Sequence, residues 1–238
     1  MSMSGAANPL SRRLLGLAAL AAICCAQGGT ALAADGRLYP SGPPNGVAYL
    51  RFVNLAPREV TIISPAAKIA IPADAAHRVG AFDPVTPGVS LTGTARLGQA
   101  TKPIEVKLAA NEFATVAVVS DGADAIAVTV FRETPSDFNA LKSSLGLFNA
   151  DKSCAAARLV AGDKHQQVIG DVAPGAVGRR QVNPVNTALA VACGDPAQAL
   201  PATLGQLNAG DRYSVFVAAG ASGPEIVAQR DEQAPLRP

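Results

Sequence analysis

The sequence predicts an all-β protein: two tandem β-sandwich domains, immunoglobulin-like or carbohydrate-module-like, behind a cleaved signal peptide. Three observations carry this reading. Apolar residues alternate with polar ones at a period of two, the mark of a half-buried strand. Gly and Pro are dense, 22 and 18 of 238 residues, which favours many short elements over a few long helices. A set of these features recurs after about 95–100 positions, the mark of a duplicated unit.

The chain opens with Arg12 and Arg13, an apolar run from Leu14 to Ala26, and Ala31-Leu32-Ala33. Basic region, apolar region and small–x–small pattern together read as a secretory signal. The run is too short for a bilayer core of roughly 30 Å. Cleavage is expected between Ala33 and Ala34. A retained anchor and a lipidated Cys24 or Cys25 are the alternatives. No later stretch is apolar enough to span a membrane, so the mature chain is expected to be exported to the periplasm and soluble.

Val60 and Ile62 begin the strand pattern. Ile104, Val106 and Leu108 alternate with Glu105 and Lys107, apolar inward and polar outward. Phe113 to Val119 is a continuous β-branched-rich run, suited to a strand covered on both faces. Asp121-Gly122 marks a turn. Ile126, Val128 and Val130 return from it. The second half repeats these devices. Leu145-Gly-Leu-Phe-Asn149 echoes Leu50-Arg-Phe-Val-Asn54, and Leu207 leads to Tyr213 as Leu108 leads to Phe113. The expected layout is a signal peptide over 1–33, a sandwich over 34–134, a linker over 135–144 with one helical turn from Phe138, and a second sandwich over 145–238. The tail from Gln233 is expected to fray.

Cys154 and Cys193 are the cysteines left after signal removal. Leu189, Val191 and Cys193 share one strand face, which points Cys193 inward. In an oxidising compartment such a pair reads as a disulfide.

Charge narrows the functional classes. Without Arg12 and Arg13, 18 basic residues face 18 acidic ones. A nucleic-acid binder needs a basic excess or stripe for phosphate contacts, so nucleic acid is not an expected partner. Hydrolase and transferase signatures are missing too: the chain has no G-x-S-x-G. Asp74-Ala-Ala-His77 has a D-x-x-H spacing seen in some esterases, but without a matching serine block it reads as a polar surface turn. His165, in Asp163-Lys164-His165, reads as a hairpin tip. Asp231-Glu232 is a carboxylate pair near the chain end. No metal or other cofactor is expected, and the chain is not expected to be an enzyme. With no Trp, and with Tyr49 and Tyr213 on core strands, a sugar-stacking platform is poorly supplied. Arg179-Arg180 is the best local basic pair for an anionic polysaccharide.

The segment Leu38-Tyr39-Pro40, with Pro43-Pro44 following and then Ala48-Tyr-Leu-Arg51-Phe52-Val53-Asn54, resembles the AlgF family of periplasmic accessory proteins in alginate O-acetylation. The resemblance implies a non-catalytic adaptor. It would bridge a membrane-bound O-acyltransferase and periplasmic SGNH-type acetyltransferases that modify alginate. Tyr39, Pro40 and Arg51 are then the expected partner contacts, since a proline-rich arm beside a strand suits β-augmentation or groove docking. The alternative is a carbohydrate-binding module that holds the anionic polymer through Arg179 and Arg180.

Overall fold

The first half of the computed structural model contains β1 (Ala48–Asn54), β2 (Val60–Ile63), β3 (Lys68–Ile71), β4 (Asp83–Val85), β5 (Ser90–Leu97), β6 (Ala100–Lys107), β7 (Phe113–Ser120) and β8 (Ile126–Glu133). The second half contains β9 (Ser143–Asn149), β10 (Ala157–Ala161), β11 (Gln166–Val172), β12 (Val177–Val182), β13 (Val185–Asn186), β14 (Leu189–Ala192), β15 (Leu200–Ala202), β16 (Gln206–Leu207), β17 (Arg212–Gly220) and β18 (Gly223–Arg230). The structure describes residues 46–122, 125–135 and 138–235. The signal segment, Tyr39 and Pro40 lie outside them.

Strand order repeats between the halves. Sheets β3-β2-β5-β6 and β4-β1-β7-β8 build the first sandwich; β11-β10-β14-β15 and β12-β9-β17-β18 build the second. β13 and β16 form a small extra ribbon. In both halves the central pair is parallel: β1 on β7 and β9 on β17. Tyr49 stands opposite Phe113, and Ser144, at the equivalent position of β9, stands opposite Arg212. The shared register carries over to a buried asparagine. Asn54 donates its amide to the carbonyls of Arg58, Ile71 and Pro72 and accepts from the Ala56 N–H. Asn149 donates to the carbonyls of Cys154 and Val172 and accepts from the Asp151 N–H. Each replaces ladder bonds the chain loses as it leaves the inner sheet.

The layers follow from alternation. Ala48, Leu50, Ala114, Val116 and Val118 face Val60, Ile62 and Val106 in one core. Leu145, Leu147, Val215 and Val217 face Leu159 and Val191 in another. The opposite faces of β1, β7, β9 and β17 pack on each other, where Val53, Ala117 and Phe131 meet Phe148, Phe216 and Val227. This explains the continuous apolar run of β7: it is covered on both sides. The described residues group as one compact unit.

Cys154 and Cys193 form the disulfide. Ile104, Val106 and Leu108 are buried as their alternation requires. Two expectations are corrected. No helical turn follows Phe138; Asn139 accepts from the Lys142 N–H in a turn, and β9 starts at Ser143. Nor does the chain fray at Gln233. Phe82 N–H donates to the Glu232 carbonyl, and Ala234 N–H donates to the Phe82 carbonyl. The end of the second half is thus stitched to the first.

Candidate functional site

The inner faces of β1 and β12 each carry an arginine into the junction between the halves. Arg51 is 1% exposed. Its Nη1 donates to Asp231 Oδ1 at 2.8 Å, its Nη2 to Ser214 Oγ at 2.7 Å and its Nε to Thr115 Oγ1 at 2.9 Å. Its guanidinium carbon lies 4.1 Å from the centre of the Phe82 ring. Arg179 reaches the other way. Its Nε and Nη2 both hold the Glu133 carboxylate, and its Nη1 reaches Ser144 and the Tyr213 carbonyl at 3.3 Å.

The two pairs are related by the repeat. Glu133 lies opposite Phe113, and Asp231 is joined by its N–H to the Arg212 carbonyl. Since Phe113 and Arg212 are equivalent, so are Glu133 and Asp231. Thr115 corresponds likewise to Ser214. The cations are exchanged. Arg51 corresponds to Gly146, and a Cβ at Gly146 would lie 2.5 Å from Arg179 Nη2. Glycine there leaves room for a guanidinium supplied from the neighbouring strand. Each half therefore contributes one acid and one arginine, and each arginine crosses to the other half's acid.

Arg212 breaks this symmetry. It stands where the first half has Phe113, and its guanidinium lies 4.8 Å from that ring. Its nearest acidic oxygens, on Glu133 and Asp231, are both 3.9 Å away. That is too long for a hydrogen bond. Among the described residues its Nε and Nη2 have no acceptor. Among the described residues the cluster thus holds three cations against two anions. Burial, and then repulsion from Arg179, pulls the Arg212 guanidinium down to about 10. Burial alone would raise the Asp231 and Glu133 carboxyls. Arg51 and Arg179 act most strongly on Asp231, and Arg179 on Glu133; the net direction is down for both.

The sign of the pH effect follows from that direction. A carboxylate depressed on folding stabilises the fold above its unfolded pKa of about 4, and the contribution fades as pH falls from there through the folded value. The melting temperature is expected to fall from about pH 4 downward. In Asp231→Asn that acid-induced drop should be shallower, as a pH series of thermal melts would read.

A cleft of about 1330 Å³ opens beside this cluster. Arg132, Glu133, Arg179, Arg180 and Arg212 line it, together with Phe138 and Leu141 of the connection between the halves. Arg132 is paired with Glu112 at 2.6 Å. Arg180 is exposed and gives one N–H to the Val168 carbonyl. Phe138 and Leu141 are 43% and 70% exposed.

The sequence-based candidates are redistributed. Arg51, expected from sequence as a partner contact, has its guanidinium buried and its bonds made inside the junction. Arg179 and Arg180 do not form a free cationic pair. Neighbouring strand positions face opposite ways, so Arg179 is bound by Glu133 while Arg180 meets solvent. Asp74 and His77 form an exposed turn: Asp74 Oδ1 accepts from the Ala76 and His77 N–H groups and lies 2.7 Å from His77 Nδ1. His165 is at a hairpin tip between β10 and β11, at φ 48°. Asp231, read from sequence only as a carboxylate near the chain end, is buried in the junction between the halves.

The family model described as alginate O-acetyl transferase AlgF matches residues 15–210, most of the chain. Comparison with curated proteins finds no match. A solved structure from Bacteroides uniformis that carries the name of a cell adhesion protein is similar at 10% identity and a TM-score of 0.26. The match covers 79% of this chain and 100% of that one, and the likeness is too slight to carry an argument.

Proposed function

We propose, from the premise that this chain belongs to the AlgF family of alginate O-acetylation, that it is a non-catalytic adaptor of that process in the periplasm. In this reading it holds a membrane-bound O-acyltransferase and periplasmic SGNH-type acetyltransferases in register, and carries no acetyl group itself. The observation that supports it most is how the reactive side chains are used. The strongest cluster of charges is committed to locking the two halves together, and the Asp74–His77 pair caps an exposed turn. What remains is a body with a cleft and several strand edges, suited to positioning partners. Among the described residues no helix is long and apolar enough to cross a membrane.

Removal of the gene product should abolish acetylation while polymer continues to be made. His77→Ala should restore acetyl content to the wild-type level in that background, as ester analysis of the polymer would show. Failure of His77→Ala to restore it would reopen a catalytic role. Polymer binding is the second reading, favoured by exposed Arg180 at the cleft. It requires salt-sensitive binding of uronate oligomers that is lost in Arg180→Ala.

A further inference from the structure

We infer that the junction cleft is a docking site for an acidic, apolar-flanked segment of a partner protein. The inference rests on the adaptor reading and names the surface and the chemistry of one partner. Three observations converge. The repeat accounts for two acids and two arginines that neutralise each other, and Arg212 is the cation left over. Its side chain lines the cleft and is 17% exposed, while its Nε and Nη2, which have no acceptor among the described residues, are themselves buried. Arg180 adds a second cation at the rim. Among the described residues the cleft lining therefore carries more cations than anions, and neither Glu133 nor Asp231 offsets Arg180 and Arg212, since both are already held by Arg179 and Arg51.

The rim decides between occupants. Leu141 and Phe138 are large, apolar and open to solvent beside these charges. A polyuronate would satisfy the arginines and leave Leu141 wet. A peptide with Asp or Glu next to Leu, Ile or Phe would satisfy both. The volume, about 1330 Å³, also exceeds the roughly 300–1,000 Å³ of a small-molecule pocket and suits an extended segment. A carboxylate drawn toward Arg212 would meet an ion already stripped of part of its water, where pairing is strongest.

The test uses the mature protein, immobilised and panned against a random peptide library. Peptides rich in Asp and Glu beside large apolar residues should be enriched. A variant carrying Arg180→Glu and Leu141→Ser should bind them at least about tenfold more weakly, since burying one leucine alone is worth that factor. Both residues are at the rim, so the variant keeps the fold, as its melting temperature checks. Arg212→Met should weaken the same peptides. Enrichment without acidic residues, or equal binding by the rim variant, would overturn the inference. So would uronate oligomers displacing the peptides and losing affinity in the rim variant, which would assign the cleft to polymer. Complementation separates the two levels. A rim variant that restores full acetylation, where loss of the whole protein abolishes it, sinks the docking site alone. Acetylation that persists without the protein sinks the adaptor reading.

Discussion

Asp231→Asn should destabilise the protein by about 3–5 kcal/mol, the range for removing one member of a buried ion pair. Asp231 is the sole carboxylate hydrogen-bonded to Arg51 among the described residues, and its side chain is 2% exposed. The variant leaves Arg51 charged, buried and short of an anion. It also turns a cluster of three cations and two anions into three and one. The loss is a large share of a typical stability of about 5–15 kcal/mol. Urea unfolding, followed separately by probes in each half, should show the halves no longer melting together. Arg212→Met should behave oppositely, staying within about 1 kcal/mol of the wild type, because it removes the surplus charge and keeps an apolar contact with Phe113. Equal losses in the two variants would show that charge balance does not govern the junction.

The second large effect is expected from Cys154→Ala with Cys193→Ala. The bridge closes a loop of 39 positions, worth roughly 3–4 kcal/mol by the chain-entropy argument. Its surroundings add to this. The carbonyl of Cys154 accepts from Asn149, so slack at residue 154 loosens the asparagine that ends β9. The first half has no disulfide among the described residues and relies on its core at the same point. Reductant should therefore lower the melting temperature of the second half more than that of the first. Uniform loss across both halves would instead mean that the junction transmits the damage.

Much of the fold is readable from local pattern. Alternation at Ile104, Val106 and Leu108 marks the face of β6 that is buried, and Cys193 shares its inward face with Leu189 and Val191. The paired openings at Leu50 and Leu145 mark β1 and β9, down to the shared asparagine. Local pattern does not say that β1 lies parallel to β7, because Tyr49 and Phe113 are far apart in the chain and no short turn joins them. Nor does it locate Arg51. Its acceptor is 180 positions away, so a strand-borne arginine looks like a surface group. A signal was present all the same: Arg51 sits between Tyr49 and Val53 on one strand face, and a charge at an inward position demands a counter-charge. The acids at the matching ends of β8 and β18, Glu133 and Asp231, were the residues to pair it with. The split fate of Arg179 and Arg180 follows from strand alternation alone, once their stretch is taken as a strand.

The segment from Asp231 to Ala234, which runs along Phe82, is expected to set the timetable of folding. Synthesis proceeds from the N-terminus, so the first sandwich can assemble while its arginine at position 51 still faces water. The acid that neutralises it is made 180 positions later. Joining two sheets through contacts so distant in sequence is slow, because the loop-closure entropy is lost before any contact compensates it. Assembly of the junction is therefore expected to follow that of the sandwiches, and a nascent or truncated chain ending before residue 231 should expose the apolar faces of two finished sandwiches. Those faces, with Phe131 on one and Phe148 and Phe216 on the other, are where such chains would stick to one another.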